Sequence, residues 1–120
     1  MASLLVNRAR ATCALALAPL LALALAPPLH AAPSVHTIVI DGMRFIPQTS
    51  EVKAGDTVVW RNKDPFPHTV TATAAATSGG GPASPAIAAG DSWRFKATKA
   101  GTYSYLCTLH RTMTATLVVK

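Results

Sequence analysis

Apolar and polar positions alternate with period two over several short runs of the chain, and these runs are rich in β-branched and aromatic residues. Val35–Ile40, Thr57–Arg61, Ser92–Lys96, Gly101–Leu106 and Thr114–Val119 each predict a half-buried strand. Glu51-Val52-Lys53 predicts a shorter one, joined to Thr57–Arg61 by the turn Ala54-Gly55-Asp56, and His68–Thr73 continues the series. Period two also places Tyr103 and Tyr105 on one face. Between Ala74 and Gly90, with Gly79-Gly80-Gly81, Pro82 and Pro85, no periodicity survives, which predicts a long loop. No segment after residue 31 carries an amphipathic helical repeat. About seven to eight short strands with turn signals between them predict an all-β fold, a Greek-key β-sandwich or barrel.

The first thirty residues follow a different pattern. Met1–Arg10 holds two arginines and no acid, Ala11–Leu29 is dominated by alanine and leucine, and Ala31 supplies a small residue for cleavage. That layout predicts a secretory signal peptide over residues 1–31 and a mature domain over 32–120, exported to the periplasm. A retained membrane anchor is the rival reading, opposed by Pro19, Pro27, Pro28 and the weak hydrophobicity of alanine. Removing the leader changes the charge. The chain carries +6 overall, but residues 32–120 hold nine cations and five acids, a net +4. These charges are scattered singly rather than set in a basic stripe with interleaved aromatics, so no nucleic-acid partner is expected. A basic surface that meets an acidic partner is the simpler expectation.

Cysteine then becomes informative. Cys13 lies in the leader, so Cys107 is the lone thiol of residues 32–120 and no disulfide can form within them. A small exported domain often supplements its core with a disulfide or a metal, and an exposed thiol is a liability in an oxidising compartment. Cys107 is therefore either simply buried or occupied by a metal. Cys107, His110 and Met113 fall at three-residue intervals between two strands, and His68 stands at the entrance to another. Taken singly, each has an ordinary structural reading: a small core thiol, a surface or turn histidine, a packed methionine. Taken together, two imidazoles, a thiolate and a weak thioether are the donors of a mononuclear copper site built for one-electron chemistry. Zinc competes for such ligands but prefers more Cys or His and rarely takes Met. His36 and Met43 lack such context and read as structural or surface residues, while Trp60, Trp93 and Phe95 read as core. The Tyr103 hydroxyl is a candidate to close one end of the sandwich in a tyrosine corner.

The segments Val52-Lys53-Ala54-Gly55-Asp56-Thr57-Val58-Val59-Trp60, Asn62-Lys63-Asp64, Pro67-His68-Thr69-Val70, Gly101-Thr102-Tyr103 and Tyr105-Leu106-Cys107-Thr108, with His110 and Met113, resemble the cupredoxins over most of residues 35–120. Within that family the chain is most similar to the amicyanin and plastocyanin-like members, and Cys-x2-His-x2-Met is the short, amicyanin-type ligand loop. The resemblance implies a type 1 (blue) copper site with His68, Cys107 and His110 as near-planar ligands and Met113 as the weak axial one. It also implies that the Thr69 amide points at the Cys107 sulfur.

The chain departs from the pattern at Leu109, Arg111 and Thr112, where amicyanin-type loops carry prolines and an aromatic, and at Thr114 and Ala115 beyond the axial position. Arg111 puts a charge on a normally apolar docking face. The expected function is one-electron transfer between periplasmic redox proteins, a cytochrome c-like or dehydrogenase partner with acidic character, by a monomer. The alternative is copper storage, delivery or resistance. An enzyme is not expected, because a catalytic metal keeps an open position and here the protein supplies every ligand.

Overall fold

The computed structural model describes residues 25–73 and 79–120. Most of the expected leader (residues 1–24) and the first five residues of the expected 74–90 loop lie outside the described residues. Residues Ala31–Lys120 form one compact unit.

Eight strands make two four-stranded sheets. They are β1 (Val35–Ile40), β2 (Phe45–Ile46), β3 (Thr49–Val52), β4 (Thr57–Asn62), β5 (Thr71–Ala72), β6 (Ser92–Lys96), β7 (Gly101–Leu106) and β8 (Thr114–Val119). One sheet runs β2-β1-β4-β6 and the other β3-β8-β7-β5. The pairs β1·β4 and β3·β8 are parallel, and the remaining neighbours are antiparallel. This is the expected β-sandwich. Alternation decides which side chains close it: Ile38 and Ile40 of β1, Val58 and Trp60 of β4, Tyr103 and Tyr105 of β7, and Leu117 and Val119 of β8 are all buried.

Trp60 is the centre of the core. Its ring is fully buried, packs edge-on to Tyr105 at 5.6 Å between centroids, and donates Nε1–H to the Tyr105 hydroxyl at 3.2 Å. Burial pushes the Tyr105 phenol up to about 12, against the opposing hydrogen bond from Trp60. Tyr105→Phe deletes the acceptor and leaves a buried indole N–H without a partner. The expected cost is about 1–3 kcal/mol of unfolding free energy, readable as a lower urea midpoint. Trp93 and Phe95 face the same core but remain half-exposed, because β6 is a sheet edge.

Two expectations are corrected. His68–Thr73 is a strand only at Thr71–Ala72, because the preceding amides have other partners: His68 N–H donates to Ile87 O, Thr69 N–H to Cys107 Sγ and Val70 N–H to Ser84 Oγ. The short β3 begins and ends earlier than Glu51–Lys53, as Thr49–Val52. The Gly79–Gly90 part of the expected loop is anchored, with bridges from Ala83 to Thr71 and from Ile87 to His68. β2 is an element the pattern does not reveal.

Two polar links tie strand ends together. The Tyr103 hydroxyl donates to Lys99 O at 2.6 Å, four residues upstream, as in a tyrosine corner. Asp56 accepts the Ser34 and Lys53 amides and the His36 Nε2–H, joining the start of β1 to the β3–β4 turn. Those bonds, led by the Ser34 amide, hold its carboxyl at about 2. A depressed folded-state pKa contributes stability that is complete above the unfolded value of 3.8 and is lost as pH falls through about 2. Acid titration of the thermal midpoint is therefore expected to fall through that window. Asp56→Asn should flatten that limb.

Candidate metal centre

The candidate donors come from two loops at one end of the sandwich. Cys107 follows β7 directly, and a short turn leads through His110 to Met113 and into β8. Three backbone hydrogen bonds close that turn: Cys107 N–H to Met113 O, Met113 N–H to His110 O, and His110 N–H to Cys107 O. The three-residue spacing therefore curls the chain instead of continuing β7. His68 arrives from the β4–β5 connection, whose shape is set by Asn62. This buried amide donates to Phe66 O at 2.7 Å and Ile87 O at 3.0 Å and accepts the Asp64 N–H at 3.0 Å.

The two loops converge. Cys107 Sγ lies 3.7 Å from His68 Nδ1 and 3.8 Å from His110 Nδ1, and the three donor atoms fall within 4.8 Å of one another. His68 and Cys107 are fully buried, Met113 is buried at the end of the same turn, and His110 is half-buried. Three of the sequence-derived residues, His68, Cys107 and His110, are thus brought together, and Met113 ends the turn that carries two of them. The chemistry of the converging donors, two imidazole nitrogens and a soft sulfur, fits copper.

Each of the two deepest donors is also oriented by hydrogen bonds. The Thr69 N–H points at Cys107 Sγ at 3.3 Å, as the resemblance implied. The Thr69 hydroxyl meets the Thr108 hydroxyl at 2.9 Å and accepts the Thr108 N–H at 2.8 Å, clasping the two loops on either side of the sulfur. His68 Nε2 lies 2.8 Å from Asp64 Oδ2. A carboxylate there fixes the tautomer with the proton on Nε2 and the lone pair on Nδ1, facing the sulfur. Burial pushes the Asp64 carboxyl up, but the Met43 and Gly42 amides and His68 outweigh it, and the net shift is downward. Sequence reasoning assigned Asp64 no role. Beyond its place in the family-like segment Asn62-Lys63-Asp64, its signal is an acid four residues before a candidate histidine, and across a proline-rich loop that spacing carries no geometric rule.

A family model described as copper binding proteins, plastocyanin/azurin family, matches residues 34–120. The chain belongs to that family.

This cupredoxin is 35% identical over 85 residues to amicyanin from Paracoccus denitrificans, a match covering 69% of this chain and 65% of that protein. It is 32% identical over 78 residues to plastocyanin from Vicia faba, covering 58% of this chain and 79% of that one. Among solved structures, an oxidised proline-to-alanine variant of amicyanin superposes with a TM-score of 0.67 at 31% identity, covering 72% of this chain and 82% of that one. A copper-containing nitrite reductase from Thermus scotoductus SA-01 gives a TM-score of 0.64 at 27% identity, covering 77% of this chain but 23% of that chain. The cupredoxin thus resembles one part of a larger copper enzyme and most of the length of a small copper protein.

His36 and Met43 stay outside the donor cluster. His36 pairs with Asp56, and Met43 is exposed at a turn with φ of 61°, its amide held by Asp64. Leu109, Arg111 and Thr112 are exposed around His110.

Proposed function

We propose that this cupredoxin is a one-electron carrier between periplasmic redox partners, with His68, Cys107 and His110 as the strong copper ligands and Met113 as the weak axial one. The observation that carries the reading is the convergence of two Nδ1 atoms and one Sγ within 4.8 Å at a buried site. When bound, copper supplies a Cu(II)/Cu(I) couple with intense thiolate-to-metal absorption. The chain's own residues do the rest. His68 is pinned between Asp64 and the Ile87 bridge, and Cys107 between β7 and the Thr69 amide, so the donors are held in one arrangement for both oxidation states. The Thr69 N–H draws charge from the sulfur, and the buried surroundings exclude water. His110, half-buried between exposed Leu109 and Arg111, is the edge through which an electron enters or leaves.

A cytochrome c-like protein or a dehydrogenase with an acidic docking face suits Arg111 and the net +4 of residues 32–120. Export with cleavage near Ala31 is supported by the composition of residues 1–31, and no helix of the described residues is long and apolar enough to cross a membrane. A monomer is the working unit of this reading.

The experiment is potentiometry on copper-loaded protein. A reversible couple with one copper per chain and a strong visible band is expected. A protein that holds copper without that band or couple would point to storage or delivery instead. Met113→Leu should keep copper on three ligands while the reduction potential rises, since a donor that favours Cu(II) is removed. Loss of all copper, or an unchanged potential, would make Met113 a packing residue.

A further inference from the structure

The outer face of the β2-β1-β4-β6 sheet has a charge pattern that the metal centre does not use. Residues that alternate with the buried Val58, Trp60 and Asn62 of β4 point away from the core, and Arg61 is among them. On the neighbouring β6, Trp93 and Phe95 face inward opposite Trp60 and Val58, so Ser92, Arg94 and Lys96 share the outer face with Arg61. The register sets Arg94 opposite Val59, and hence diagonal to Arg61. Diagonal neighbours stand ~7–8 Å apart, and Arg94 and Lys96 are separated by two residues, ~7 Å along the strand. Arg94 thus lies within a Debye length of ~8–10 Å of both other cations, while Lys96, opposite Thr57, stands four residues and about 14 Å along the ladder from Arg61.

No carboxylate stands on the strands of this sheet. Among the described residues none of the three cations makes an ion pair, whereas Asp56 and Asp64 are occupied by amides and histidines and Glu51 pairs with Lys120. Asp41 and Asp91 lie beyond the ends of β1 and β6. Around the cations the face mixes aliphatic with hydroxyl side chains: Val59 is half-buried and Val35 and Ile46 are exposed, alongside Thr37, Thr57 and Ser92. Charges on an edge strand also block edge-to-edge pairing, which accounts for Arg94 and Lys96. It does not account for Arg61, which sits on the interior strand β4.

We propose that Arg61, Arg94 and Lys96, with the mixed aliphatic and hydroxyl surface beside them, form a docking face for an acidic protein, separate from the His110 edge. Two of the three cations are arginines, whose planar forks match carboxylates bidentately. They stand on rigid strands, so little order is lost on contact. An anionic lipid surface is the less suited occupant, since three cations fall short of the clusters of about four to eight that read as lipid-binding.

The test titrates isotope-labelled, copper-loaded protein with poly-L-glutamate at low ionic strength, and in parallel with phosphatidylglycerol vesicles. Saturable binding of the polypeptide is expected, with amide shifts centred on Val59–Arg61 and Trp93–Lys96. The Arg61→Gln/Arg94→Gln/Lys96→Gln variant should bind about tenfold more weakly, and Arg111→Gln less than about threefold more weakly. The visible band should be unchanged in the triple variant, which reports folding and separates failure here from failure of the copper assignment. Should the triple variant misfold, Arg94→Gln alone, on the exposed edge, should weaken binding about threefold. No saturable binding, shifts centred on Leu109–Thr112, equal loss with Arg111→Gln, or binding to vesicles in place of the polypeptide would each overturn the proposal.

Discussion

Cys107→Ser is expected to abolish the intense visible absorption of the copper-loaded protein and its reversible one-electron couple. The sulfur is fully buried, receives the Thr69 amide and faces Nδ1 of both histidines. Serine puts a hydroxyl in that position, a harder and far less readily ionised donor that cannot supply soft, covalent electron density to copper. The fold should survive. A serine hydroxyl would find the same Thr69 N–H and two imidazoles around it, so no buried polar group is orphaned and the cost in stability stays near ~1 kcal/mol. Circular dichroism and visible spectra on one sample separate the two effects. A serine variant that remains intensely coloured would show that Cys107 is not the sulfur donor.

Period-two alternation made the long strands legible because their inner faces meet a single core: Ile38, Val58, Trp60, Tyr105 and Leu117 could be read as inward before any pairing was known. What alternation misses is backbone spent elsewhere. The β-branched run from His68 reads as a strand, yet its first amides are committed to Ile87, the Cys107 sulfur and Ser84, so ladder pairing starts only at Thr71. The two-residue β2 lies between the Gly42-Met43 turn and Pro47 and is too short to carry a period. In the metal centre, three candidate donors lie within seven residues, and the fourth sits in a segment with its own family signature, so the set could be read from the chain. Of the orienting groups, only the Thr69 amide could be read, from the family resemblance. The Asp64–His68 contact exists because Asn62 folds the intervening loop back on itself, and the Thr69–Thr108 clasp joins residues far apart in sequence.

Replacing that hidden carboxylate gives the second large effect. Asp64→Asn keeps an acceptor oxygen for His68 Nε2–H but removes the negative charge behind the imidazole. An anionic partner makes the ring a stronger donor, and stronger donation favours Cu(II) over Cu(I). Without it the reduction potential should rise. Outer-shell partners of metal-bound histidine are worth about 10–100-fold in metal affinity. If that loss falls mainly on Cu(II), the shift is about 60–120 mV for a one-electron couple at 59 mV per decade. The same substitution also replaces one oxygen of the cradle that receives the Gly42 and Met43 amides, so part of the β1–β2 turn loosens and the thermal midpoint should fall. Stability alone cannot move the potential in a chosen direction, which keeps the two roles separable. Nitrogen chemical shifts of the metal-free protein supply an independent reading, since wild type should show His68 held as the Nε2–H tautomer. A potential unchanged in Asp64→Asn, with only the midpoint lowered, would reduce Asp64 to a clamp on the turn and leave the tuning of the site to the Thr69 amide.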